Sequence, residues 1–130
     1  MSSIAQLVNF ECDKLNELAV DLLTTLERKY GQPSCGNSRA TFISRHCVIK
    51  FPLNFKGLLD NSIESKVPTD DYAQYAKGRK INLGDFNCLV QEKLSMPKSF
   101  LDLPTWIMSI DCCQVGYDRK GRLKAYDFAS

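Results

Sequence analysis

The chain has 130 residues, 44% of them hydrophobic and 25% charged, and 17 basic against 15 acidic side chains leave a net charge of only +2. That is the length of one domain, with enough apolar content to fold around its own core, which excludes a disordered chain. The charges are dispersed without a basic block, so neither nucleic acid nor an anionic membrane is an expected partner, and no apolar run is long enough to cross a bilayer.

The spacing of Ile4, Leu7, Val8, Leu15, Leu18, Ala19, Leu22, Leu23 and Leu26 predicts a long helix from Ser3 to about Tyr30. Ser3 and Gln6 have capping-box spacing, and Gly31 is a natural stop. Gln32 to Ser38, rich in Pro, Ser, Gly and Asn, reads as a loop. Two strands are expected at Arg39–Ile43 and Cys47–Phe51, joined by Ser44-Arg45-His46 and closed by Pro52, which cannot donate to a sheet ladder. Asn54 to Lys66 reads as a helix whose Phe55, Leu58, Leu59 and Ile63 share one face. After Pro68, Thr69 caps a polar helix reaching about Lys77, and Gly78 to Gly84 is a connector.

Phe86 to Leu94, with the run Cys88-Leu89-Val90, predicts a strand. Ser95 to Pro104 is mostly loop, and Thr105 to about Ile110 is a short helix or strand carrying Trp106. Val115–Tyr117 and Leu123–Tyr126 pair across Asp118-Arg119-Lys120-Gly121, where the glycine takes the left-handed conformation of a hairpin turn. The expected fold is a single α+β domain over 1–130. It has a long N-terminal helix and an antiparallel sheet of about five strands with one or two packed helices.

Six cysteines (Cys12, Cys35, Cys47, Cys88, Cys112, Cys113) and one histidine, His46, contain no Cys-x-x-Cys pair. Adjacent Cys112 and Cys113 are poorly placed to bond each other. A reduced cytoplasmic protein with buried or incidental thiols is expected.

Singly, the polar candidates have ordinary explanations. A strand lysine such as Lys50 snorkels its ammonium to water, Glu64 sits on a solvated helix face, Gly36-Asn37 makes a turn, and Asp127 is exposed. Their order is more informative. A glycine-containing turn, a strand with a central lysine, a helix with a glutamate, a further strand and a hairpin ending in Asp-Phe follow one another.

In that order the chain resembles the nucleotide-binding half of the protein-kinase-like superfamily. Cys35-Gly36-Asn37-Ser38-Arg39-Ala40-Thr41-Phe42 is similar to a rudimentary glycine-rich loop, and Val48-Ile49-Lys50 to the strand whose lysine holds nucleotide phosphates. Asn61-Ser62-Ile63-Glu64 resembles the helix whose glutamate pairs with that lysine. Leu89-Val90-Gln91-Glu92-Lys93-Leu94 resembles the strand entering the hinge beside adenine, and Leu123-Lys124-Ala125-Tyr126-Asp127-Phe128-Ala129 the run into Asp-Phe-Gly.

The resemblance implies an N-lobe-like fold over 31–130 and ATP with Mg²⁺ as ligands. Gly36, Lys50, Glu64 and Glu92 would serve the nucleotide, Asp111 would be the catalytic base, and Gln114 and Asp127 would be metal ligands. Several features depart from the family. Only Cys112 and Cys113 separate Asp111 from Gln114 where the family has four residues, Ser109 and Ile110 replace the His-Arg pair, and Ala129 replaces the last glycine. Ser130 falls where the activation segment and substrate lobe would begin. Loss of catalysis is therefore expected, leaving a small kinase-like protein that binds and modulates another protein. A bacteriophage or mobile-element protein acting on a host factor suits its compactness, with Tyr72, Tyr75 and Trp106 as candidate contacts, Trp106 being better suited to the core. The alternative is a minimal phosphotransferase dependent on ATP and Mg²⁺.

Overall fold

A computed structural model describes residues 3–66, 75–97 and 115–126. Over these residues the fold is α+β: a long N-terminal helix and a second helix pack on a five-stranded antiparallel sheet.

The first helix is shorter than the apolar spacing predicts. Ser3–Gln6 forms a 3₁₀ turn, and the α-helix α1 spans Asp13–Tyr30. Between them Val8 and Phe10 insert into the core, and the Asn9 amide donates to the Leu53 carbonyl at 2.8 Å. Glu11 takes a left-handed backbone (φ 57°), so the helix cannot run through. Burial of Phe10, 1% exposed, outweighs two further turns of helix. Gly31, at φ 88°, ends α1 as expected, its N–H bonding the Glu27 carbonyl.

The sheet order is β1-β2-β3-β5-β4, with β1 Ser34–Cys35, β2 Arg39–Ile43, β3 Cys47–Pro52, β4 Gly78–Leu83 and β5 Phe86–Glu92. Strands β2, β3 and β5 lie within a residue or two of the predicted bounds. Strand β1 falls in the expected loop, and β4 replaces the expected connector at Gly78–Gly84. An edge strand needs to satisfy only one neighbour, and Arg79 and Lys80 give β4 the polar character that hides edges from sequence periodicity. Tyr75–Lys77 is not helical: Ala76 N–H donates to the Ala125 carbonyl at 2.7 Å. The rest of the predicted helix after Pro68 lies outside the described residues, as do Tyr72 and the Trp106 segment.

Alternation along the strands gives the sheet two unlike faces. Ala40, Phe42, Ile49, Phe51, Phe86 and Cys88 form one core with Ala19 and Leu23 of α1. The opposite face carries the second helix α2, Phe55–Glu64, which Asn54 caps by accepting the Gly57 N–H at 3.0 Å.

Helix α2 is inverted relative to expectation. Its buried residues are Gly57, Asp60, Asn61 and Glu64, while Phe55 (51% exposed), Leu59 (60%) and Ile63 (39%) face outward. Polar partners on β2 and β3 fix this orientation, as set out below.

The C-terminal hairpin, β6 Val115–Tyr117 and β7 Leu123–Ala125, is a separate two-stranded ladder turning at Gly121 (φ 77°). It is anchored by reciprocal bonds between Ser95 and Tyr117 (2.8 and 2.7 Å) and by the bridge of Tyr75 to Ala125. These anchors carry Tyr126 to the α2 face of the sheet.

Candidate functional site

Lys50 lies in β3 opposite Thr41 and Leu89, at the parity that points away from the α1 core. Its ammonium sits 2.7 Å from Glu64 Oε1 and 2.5 Å from the Tyr126 carbonyl oxygen. The other Glu64 oxygen accepts from Arg39 Nη2 at 2.8 Å. Side-chain exposure is 4% for Lys50, 8% for Arg39 and 0% for Glu64, so the ion pairs are shielded from solvent. Lys50 therefore does not snorkel, and Glu64 is not a solvated face residue.

Asn61 completes the cluster. Its Oδ1 accepts from Arg39 Nη1 at 3.2 Å, and its Nδ2 donates to the carbonyls of Lys50 (3.1 Å) and Asn87 (3.0 Å). Asp60 accepts from the Ser38 hydroxyl at 2.7 Å. Turning Phe55, Leu59 and Ile63 inward would strand these groups without partners, and the cost of leaving buried polar groups unbonded keeps the polar face down. Burial works against the charge on Glu64. Hydrogen bonds from Arg39 and the attraction of both cations outweigh it and hold the carboxyl below its ordinary range.

Lys50 borders a cavity of about 490 Å³, a size typical of small-molecule sites. Gly36 of the β1–β2 turn closes one side, and Leu94 and Met96 after β5 close another. Among the described residues Thr41, Ile43, Val48 and Tyr126 also line it, and the surface these residues present is mostly apolar. Of the residues that the resemblance assigns to the nucleotide, Gly36, Lys50 and Glu92 line this cavity, and Glu64 stands behind Lys50. Glu92 is engaged elsewhere as well. Its N–H donates to the Lys77 carbonyl at 2.9 Å, and its Oε2 accepts from Lys77 N (2.6 Å) and Lys124 Nζ (2.8 Å). Asp111, Gln114 and Asp127 lie outside the described residues. Asp127 follows Tyr126 directly in the chain.

Sequence reasoning passed over Arg39, Asn61, Gln91 and Tyr126. Gln91 offered the clearest signal, a polar residue at a buried parity after Cys88-Leu89-Val90. It is 1% exposed and lines the cavity, and neither of its amide atoms has a hydrogen-bond partner among the described residues.

A second ionic cluster holds the hairpin. Asp118 accepts from the backbone of Lys120 and Arg122, from Arg122 Nε at 2.8 Å and from Lys124 Nζ at 3.1 Å. Burial opposes its charge, but these donors prevail and push the carboxyl well below the usual range. The described cysteines, Cys12, Cys35, Cys47 and Cys88, are free thiols. Burial pushes Cys88 up to about 12, leaving it inert. Burial and the Glu27 charge also raise Cys35, on the cavity wall.

No family model, no curated protein and no solved structure matches this chain. No helix among the described residues is long and apolar enough to cross a membrane.

Proposed function

We propose that the protein is a kinase-like nucleotide-binding domain that acts by engaging another protein, with its phosphate chemistry lost or vestigial. The supporting observation is the shielded pair of Lys50 and Glu64, 2.7 Å apart, on the wall of a cavity that the Gly36 turn and the segment after β5 also border. A carboxylate behind an ammonium keeps it protonated and fixes its direction, which suits it to hold phosphate oxygens. Partner binding is supported by the exposed row Phe55, Leu59 and Ile63 on α2, the helix that also carries Glu64. Tyr75, one of the expected aromatic contacts, is half-buried instead. A bacteriophage protein acting on a host factor remains the setting we assign to it.

The alternative of an active phosphotransferase has one observation in its favour. Lys50 donates to the carbonyl of Tyr126, the residue before Asp127, and a metal-binding carboxylate works beside the phosphate lysine in such enzymes. Thermal unfolding with and without Mg-ATP, paired with a phosphate-transfer assay, tests both. A ligand at 100 times its Kd stabilises the folded state by about 2.7 kcal/mol. In a chain of this size that raises Tm by roughly 6–15 °C. Lys50→Met should abolish the shift. No shift at millimolar Mg-ATP overturns nucleotide binding. A shift without transfer supports the binding protein, and transfer lost in Lys50→Met supports the enzyme.

A further inference from the structure

Buried amide groups almost always find a partner, and an exception calls for a cause. Gln91 is such an exception. It is 1% exposed, with Oε1 and Nε2 both buried and unbonded among the described residues, and it lines the same cavity as Lys50. Its cross-strand neighbours are Val48 on β3 and Gly78 on β4, and neither offers a side-chain donor or acceptor. An apolar side chain would fill the position at lower cost, so the amide makes sense if its partner arrives from the cavity.

A carboxamide presents one acceptor and one donor side by side. The matching ligand edge carries a donor next to an acceptor, as a nucleobase does, and a glutamine pairs with adenine in this two-bond manner. Gln91 lies one strand over from Lys50 and two residues further along, since Gln91 faces Val48 and Leu89 faces Lys50. With a strand rise of about 3.3 Å and a strand spacing of about 4.8 Å, their backbones are roughly 8 Å apart. Amide and ammonium can thus serve different parts of one ligand. The backbone route to the base that the kinase resemblance implies is restricted at Glu92, whose N–H is committed to the Lys77 carbonyl.

We infer that Gln91 is the base-reading residue of this cavity: its side-chain amide, covered in this structure, turns into the cavity to make the paired hydrogen bonds to the edge of a purine nucleotide whose phosphates lie toward Lys50. The inference rests on the nucleotide-binding function proposed above and adds a specificity determinant to it.

The test compares Mg-ATP, Mg-GTP and inorganic triphosphate by titration calorimetry on the whole chain, as wild type, Gln91→Met and Gln91→Glu. Methionine keeps the length and removes both polar atoms; glutamate keeps the acceptors and removes the donor. Wild type should bind at least one purine nucleotide more tightly than triphosphate. Gln91→Met should weaken that nucleotide about 5–150-fold, the range of one bidentate base contact, and leave triphosphate unchanged. It should also melt no lower than wild type without ligand, because an unbonded amide has been removed. On wild type alone, the Gln91 side-chain NH₂ resonances should shift with nucleotide and not with triphosphate, which keeps the test open should either variant fail to fold. Equal nucleotide affinity in wild type and Gln91→Met, or unmoved NH₂ resonances in the nucleotide complex, overturns the role of Gln91 and leaves phosphate binding at Lys50 standing. Wild type that binds neither nucleotide nor triphosphate overturns both.

Discussion

Replacing Glu64 by glutamine changes almost nothing in shape and removes, among the described residues, the carboxylate that Arg39 and Lys50 share, at 2.8 and 2.7 Å. A glutamine there can accept from one cation but turns its NH₂ toward the other, donor against donor. Hydrogen bonds to charged groups are each worth about 1.5–3 kcal/mol, and removing one member of a buried ion cluster typically costs about 3–5 kcal/mol. With exposures of 8% and 4%, Arg39 and Lys50 have little recourse to water to replace the lost carboxylate oxygen. A domain holds only about 5–15 kcal/mol in all, so Glu64→Gln should lose roughly a fifth or more of its stability. Urea unfolding followed by far-UV circular dichroism gives the number. The triple replacement Arg39→Met, Lys50→Met, Glu64→Leu should recover part of that loss, because it leaves no uncompensated charge among the three, while Asn61 Oδ1 and the Tyr126 carbonyl each lose a donor. A loss below about 1 kcal/mol in Glu64→Gln, the range of a surface ion pair, would refute the shielded cluster.

Gly57→Ala should destabilise, although alanine normally favours a helix interior over glycine by about 1 kcal/mol. A Cβ there would lie 2.2 Å from the Ser38 carbonyl oxygen and 2.9 Å from Pro52 Cα, both backbone, and a lower Tm in calorimetry checks the sign. Acid should unfold the protein through Glu64 and Asp118. Both folded carboxyls are held below their unfolded values, so their contribution is complete above about pH 4–5 and is lost as pH falls through the depressed values. Asp118→Asn should therefore flatten part of the acid limb of a stability-against-pH curve, and an unchanged limb would count against its role as the hairpin clamp.

Much of the framework was legible because it is encoded locally. The Gly31 stop, strands β2, β3 and β5, and the hairpin turning at Gly121 all follow from residues a few positions apart. Strand β4 was missed because an edge needs little hydrophobic periodicity, and the break before Asp13 because Phe10 answers to a core built from distant strands. The candidate pair of Lys50 and Glu64 was legible only through the order of weak motifs. Taken one at a time, each residue looked like surface.

Sequence alone therefore determined the end of α1, strands β2, β3 and β5 and the C-terminal hairpin, and its resemblance named the lysine and the glutamate as partners. Only the tertiary structure decided that α2 buries its polar side. Apolar spacing records a preference for leaving water, but a polar group is buried where partners await it. Those of Glu64, Lys50 and Arg39, lie 14 and 25 residues away in the chain and meet it only once β2, β3 and α2 have packed. The same holds for Gln91, whose amide finds no partner among the described residues only once the cavity wall is assembled.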